Sequence, residues 1–280
     1  VITTDHLRAF TADPRLMARI TAIHALGDIW AMGAAPQAAL AQITLPRLSE
    51  ALQADMLADI MAAAAEVFTE AGAAIVGGHT SIGAELTVGF TVTGLTDHPL
   101  TKGGARAGDA LILTKPVGTG TILAAEMALA HIPGLILGES LAACLSSMQR
   151  PLGPAAAILA PRARAMTDVT GFGLAGHLME MMRASGTAAR IDLAALPLLP
   201  GAEVLAAAGH ASTIATANRA AVDWDLTAPE GPRAALLFDP QTAGPLLAAV
   251  PAAEAPSLIA ALHAAGDTAA TVIGHVTEGP

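Results

Sequence analysis

The stretch Thr167–His177, TDVTGFGLAGH, places an acidic residue, Asp168, ahead of a loop with glycines at 171, 173 and 176. The apolar residues that follow, Leu174, Leu178, Met181 and Met182, recur at helical spacing. Glycine lets backbone N–H groups approach an anion closely, and a helix N-terminus carries partial positive charge. A carboxylate beside such a turn repels a phosphate unless a divalent cation stands between them. The segment therefore reads as a strand–loop–helix unit suited to a metal–phosphate site, with a plain strand-to-helix turn as the alternative.

Working outward, helices and strands alternate along the chain. Asp13 and Pro14 form a helix start, and the helix runs to about Met32, stopped by Gly33. A strand is expected near 38–43 and a helix from about Ser49 to Ala71. AAIVGGHTS reads as a short buried strand entering a Gly-Gly turn, and 86–95 as a further strand. The polar, Gly-rich stretch Thr96–Asp109 is the best domain boundary, which divides the chain into 1–102 and 103–280. Beyond it come ALILTKPVGTG, a buried strand and Gly turn, then helices near 120–131, 139–149 and 153–160. The Asp168 loop and its helix follow, then a strand at 188–192 and a helix near 201–208. ALLFDPQTAG reads as a strand and turn, and the chain closes with a helix near 254–265 and the strand TVIGHV. The class is α/β plus α+β in two domains.

Composition narrows the function. The 280 residues are 53% hydrophobic, but aromatics are 2% and tyrosine is absent, so the core is aliphatic. A net charge of −10 argues against a nucleic-acid partner, because phosphate backbones are held mainly by Lys and Arg. No uncharged apolar run is long enough for a membrane span, and VITTDHLRAF does not read as a signal peptide, so the expected location is the cytoplasm. The single cysteine, Cys144, excludes an internal disulfide and reads as a core residue. The nine histidines show no zinc spacing.

Four segments share one chemistry. TTD ends a strand in Asp5, HALGDIWAMG sets His24 and Asp28 one helical turn apart, GGHT follows a strand, and TDVTGFG supplies Asp168. Carboxylates spaced this way suit Mg²⁺, which takes oxygen ligands and retains waters. Each has a plainer reading: Asp5 and His79 as turn residues, His24 as a hydrogen-bonding core residue, Lys115 as a solvated strand-end charge rather than a phosphate ligand. The methionines at 179, 181 and 182 read as core packing.

Taken together, TTD, HALGDIWAMG, AGAAIVGGHTS, GDALILTKPVGTG, TDVTGFGLAGHLMEM and LLFDPQTAG resemble the selenophosphate synthetase (selenide, water dikinase) family of the aminoimidazole ribonucleotide synthetase-like superfamily. They occur in the family's order over almost the whole chain. The resemblance implies an α/β N-terminal ATP-binding domain that forms a shared β-barrel in a homodimer, then an α+β C-terminal domain. It implies the reaction ATP + selenide + water → selenophosphate + AMP + phosphate, with Mg²⁺ as cofactor. Asp28 and Asp168 are implied as Mg²⁺ ligands and Asp5 and Asp28 as ATP-site residues. Gly78, His79 and Thr80 are implied as a nucleotide contact across the dimer. AGAAIVGGHTSIGAEL and STIATANRA are most similar to the bacterial form fused behind an oxidoreductase-like domain. The family's catalytic Cys or selenocysteine with its Lys, and a further metal-binding Asp, belong to a segment upstream of TTD. The expectation is that this chain, beginning within the first strands, lacks them and is inactive alone. The family's QTSGG stands here as QTAGP, with Pro245 in place of a glycine. Another ATP-dependent enzyme of the superfamily and a non-catalytic nucleotide-binding or dimerisation module are the remaining alternatives.

Overall fold

A computed structural model describes residues 1–223 and 225–279. The chain divides into two compact units: Val1–Pro99 with Pro151–Gly153, and Leu100–Arg150 with the residues from Pro154 onward.

The first unit is a sheet backed by two helices. Its strands are β1 (Ile2–Arg8), β2 (Ala35–Pro46), β3 (Ala74–Gly83) and β4 (Thr87–Leu95), in the order β1-β4-β2-β3. β2 and β3 are parallel; the other neighbours are antiparallel. Helix α1 (Pro14–Ala31) begins as the sequence directs. The Asp13 side chain accepts from the N–H groups of Arg15 and Leu16, and Pro14 occupies the first turn, where no donor is lost. Helix α2 (Glu50–Glu70) is capped by Ser49, whose Oγ accepts from Leu52 N. Both helices cover one face of the sheet, and the Phe68 and Phe90 rings meet edge to face at 5.0 Å between helix and strand.

AAIVGGHTS departs from the expected buried strand and turn. β3 runs straight through both glycines, and most of it is exposed. Val76 is the extra residue of a bulge, since Ile75 pairs with Ala39 and Gly77 with Leu40. Gly78, at φ +151°, lies so close to β2 that a Cβ would stand 2.0 Å from the Ala41 carbonyl oxygen. The glycine is there to bring two backbones together within the sheet, not to turn the chain.

The second unit holds an antiparallel sheet of β5 (Ala110–Leu113), β6 (Ala165–Asp168), β7 (Thr187–Ile191), β8 (Leu246–Val250) and β9 (Thr271–Glu278), ordered β6-β8-β5-β9-β7. β5, β6 and β8 are buried along their whole length. The connecting helices are α3 (Thr119–Met127), α4 (Leu137–Met148), α5 (Gly153–Leu159), α6 (Gly173–Ser185), α7 (Ala202–Ala207), α8 (Ala215–Val222), α9 (Pro232–Ala235) and α10 (Ala255–Ala264). Leu111, Leu113, Val169, Leu174, Met181, Leu247 and Ile273 lie in one aliphatic core, as a chain with few aromatics requires. Here too one segment differs from expectation. ALLFDPQTAG is not a strand: its first residues close α9 and the rest form a turn, and the strand is the alanine-bearing LLAAV of β8.

Candidate functional site

In the first unit a carboxylate pair forms where β1 meets α1. Strand alternation turns Thr3, Asp5 and Leu7 inward, while Ile2, Thr4, His6 and Arg8 are exposed. Helical spacing brings His24 and Asp28 to the same side of α1. The four polar side chains converge: Thr3 Oγ1 donates to Asp28 Oδ2, and His24 Nε2 lies 3.9 Å from Asp5 Oδ1. Burial pushes the Asp5 carboxyl up from its ordinary value of 3.8 to about 7, and the Asp28 charge and the hydrogen bond between the two carboxyls add to that shift. Burial and the neighbouring Asp28 charge thus disfavour a negative charge on Asp5. A divalent cation would offset that charge, so the donor set fits Mg²⁺. Among the described residues no three His, Cys, Asp or Glu side chains gather into a metal cage. Mg²⁺ needs none, because waters and substrate phosphates complete its shell.

The second unit positions Asp168 at the end of β6, paired with Leu246 and buried. Part of the glycine loop behind it is committed to packing. Thr170 N donates to His177 Nε2 at 3.0 Å, Gly173 N to Thr170 O at 3.0 Å, and Ala175 N to Leu237 O at 2.8 Å. Gly173 has φ +70°, and a Cβ there would stand 2.8 Å from the Phe238 carbonyl carbon. These three amides therefore face protein carbonyls or the His177 ring, while Gly171 and Phe172 are exposed at the tip of the loop.

The DPQTAG segment has a role that its sequence does not reveal. Asp239 Oδ2 accepts from Gly120 N and Gln241 Nε2, and Asp239 Oδ1 accepts from Thr121 Oγ1 at 2.8 Å. Gln241 Oε1 accepts from the N–H groups of Gly118 and Thr119. Together they cap α3, whose own N-cap, Gly118, has no side chain to do so. The signal in the sequence is slight: an Asp and a Gln two residues apart in a turn with no chemistry assigned to it.

Of the remaining candidates, Gly78, His79 and Thr80 are exposed on β3, an edge strand. Lys115 is neither a solvated charge nor a phosphate ligand. It is 2% exposed, and its Nζ donates to the carbonyls of Arg150 at 2.6 Å and Ala243 at 3.0 Å. Cys144 is fully buried, and burial pushes its thiol up to about 12, as a core residue and not a nucleophile requires.

Residues 1–96 match the AIR synthase related protein N-terminal domain and residues 106–280 its C-terminal domain. The chain is 39% identical to selenide, water dikinase of Nitratidesulfovibrio vulgaris over 277 residues, covering 96% of this chain and 77% of that protein. It is 38% identical to selenide, water dikinase of Pelobacter propionicus, covering 100% and 80%. The chain belongs to the selenide, water dikinase family. Its fold extends further: thiamine-monophosphate kinase of Stenotrophomonas maltophilia superposes with a TM-score of 0.73 at 21% identity, covering 100% of this chain and 83% of that one. The hydrogenase maturation protein HypE of E. coli superposes with a TM-score of 0.71 at 23% identity, covering 99% and 79%. At those identities the likeness is one of fold, and the two-domain AIR synthase-like architecture expected from the motifs is the one observed.

Proposed function

We propose that the protein to which this chain belongs carries out ATP-dependent synthesis of selenophosphate, ATP + selenide + water → selenophosphate + AMP + phosphate, and that the Asp5–Asp28 pair holds the metal–nucleotide. The observation that carries the site is that pair: two carboxyls brought together in a partly buried position, beside His24 and oriented by Thr3. Mg²⁺, when bound, neutralises the phosphate oxygens and leaves the phosphorus open to an incoming nucleophile. Asp28 and Asp168 are proposed as Mg²⁺ ligands, Asp5 and Asp28 as the carboxylates of the ATP site. Thr3 fixes the rotamer of Asp28, and His24 holds the inner side of Asp5. We place the reaction in the cytoplasm; among the described residues no helix is long and apolar enough to cross a membrane.

The reaction is tested by ³¹P NMR on the natural full-length protein with ATP, Mg²⁺ and selenide under anaerobic conditions. Selenophosphate, AMP and phosphate are the expected products. ADP as the sole nucleotide product would overturn the reading.

Gly78, His79 and Thr80 are proposed to reach a nucleotide held by a second copy of the chain. Supporting this, β3 leaves Val76 and Ile82 more than half exposed at a sheet edge, with Leu40 exposed on the neighbouring strand β2 and Ile2 and Leu95 exposed on the other strands of the sheet. Such an edge invites pairing. The doubly substituted Val76→Arg, Ile82→Arg protein is expected to be a folded monomer by light scattering where the parent is a dimer. A parent that remains monomeric at micromolar concentration would remove both the dimer and the cross-subunit role of His79.

A further inference from the structure

We propose that Lys115 is a positioning residue for the Asp168 carboxylate, acting through the turn formed by residues 241–245. The proposal rests on the reading of Asp168 as a Mg²⁺ ligand.

A lysine this deeply buried is costly unless its ammonium protons find acceptors. Burial pushes its amine down to about 7, with nearby Arg150 adding to the shift and Asp267 opposing it. What the residue gains is a bridge. One proton goes to the carbonyl of Arg150, just past α4, and another to the carbonyl of Ala243, far away in sequence. The Arg150 end is itself anchored, since its guanidinium donates to Asp267 Oδ1 at 2.5 Å and to the Ala265 carbonyl at 3.0 Å. The bridge thus ties the 241–245 turn to a fixed point.

That turn is keyed to the Asp168 segment along its length. Gln241 N donates to Thr170 O at 2.9 Å, and Val169 N donates to Pro245 O at 2.8 Å. Gly244 lies so close that a Cβ would stand 2.0 Å from Val169 O. Leu246, the next residue, pairs with Asp168 itself. In the middle stands Ala243 with φ +46°, a left-handed conformation that a non-glycine residue adopts at a cost of about 1 kcal/mol. Its carbonyl is the one Lys115 holds. Without that bond the turn loses its tie to Arg150, and the backbone that aims Asp168 loses that support. The second function of the motif pair LTKP and QTAGP is therefore to fix a metal ligand that neither motif contains.

The test replaces Lys115 by Met, which keeps most of the length of the side chain and removes the ammonium that makes both bonds. Binding of Mn²⁺, used in place of Mg²⁺, is followed by electron paramagnetic resonance in the presence of a non-hydrolysable ATP analogue. The natural protein, Lys115→Met, Asp168→Asn and Leu262→Ala are compared. Leu262 is fully buried on α10 and serves as a variant that only lowers stability. Lys115→Met is expected to weaken Mn²⁺ about 10-fold, the scale on which residues behind a metal ligand act. Its turnover is expected to recover when Mg²⁺ is raised, whereas Leu262→Ala lowers Tm and leaves metal affinity unchanged. If Met blocks folding, Lys115→Gln, which keeps an amide N–H group on a shorter, uncharged side chain, is expected to weaken Mn²⁺ roughly threefold. A folded Lys115 variant with a lowered Tm and parental Mn²⁺ affinity would show a purely structural lysine and overturn the proposal. Parental affinity in Asp168→Asn would instead overturn the reading of Asp168 as a ligand, and the positioning role with it.

Discussion

Asp28→Asn is expected to abolish Mg²⁺-dependent ATP binding while leaving the first unit folded. Asparagine keeps the size of the side chain and an oxygen to accept from Thr3 Oγ1, so the contact between β1 and α1 survives. What disappears is the charge that opposes Asp5 and attracts the cation. Removing one preorganised charged contact to a phosphate-bound metal costs on the order of 100-fold or more in affinity. The fold should be unharmed or slightly more stable, because Asp5 no longer faces a like charge in a half-buried position. Calorimetric titration with ATP, with and without EDTA, reads the first effect, and thermal melting reads the second. A variant that binds Mg·ATP like the parent would show that the pair is structural and that the site lies elsewhere.

The members of this pair are legible in the amino-acid sequence. TTD does not end its strand, since β1 runs on to Arg8, but the alternation still selects Thr3 and Asp5, and His24 and Asp28 recur at the spacing that aligns one helix face. Local periodicity suffices there because each residue's direction follows from its own element. The segments that mislead are those whose residues serve a distant partner. The two glycines of GGHT resemble a turn signal, yet Gly78 answers to Ala41 on the neighbouring strand. LLFDPQ resembles the end of a strand, yet its polar residues reach across to cap α3. The strand itself, LLAAV, is hidden by alanines that suit a helix equally well. Helix α8 gives no periodic signal because ATANRAAV has no apolar stripe; Asn218 and Val222 are its buried positions. Lys115 misleads for the same reason as the glycines. Its two acceptors lie 35 and 128 residues away, and nothing within LTKP indicates them.

The α3 cap carries the second large effect. Asp239→Ala would leave Thr121 Oγ1 without its carboxylate acceptor, while Gly120 N keeps the Pro240 carbonyl at 3.1 Å and Gln241 Nε2 keeps the backbone carbonyl of residue 239 at 2.8 Å. An unsatisfied buried donor costs about 1–3 kcal/mol, so a loss of that order is expected in chemical unfolding. The carboxylate also has a pH signature. Burial raises its pKa from 3.8 to about 6, against the opposing pull of its bonds from Thr121, Gln241 and Gly120. The folded state therefore holds this proton more tightly than the unfolded chain. Its stabilising contribution is complete below about pH 4 and is lost as the pH rises through 6. Subtracting the stability of Asp239→Asn, which cannot titrate, from that of the parent isolates this group. The difference should fall by roughly 2 kcal/mol between pH 4.5 and 7. A flat difference would mean that the carboxylate is solvated in the native state and that the cap does not stand on a desolvated charge. A positive result explains why an acid is kept where its ionisation is costly. Its oxygens occupy the N-terminal amides of α3, and a neutral side chain of the same size cannot accept from all three donors at once.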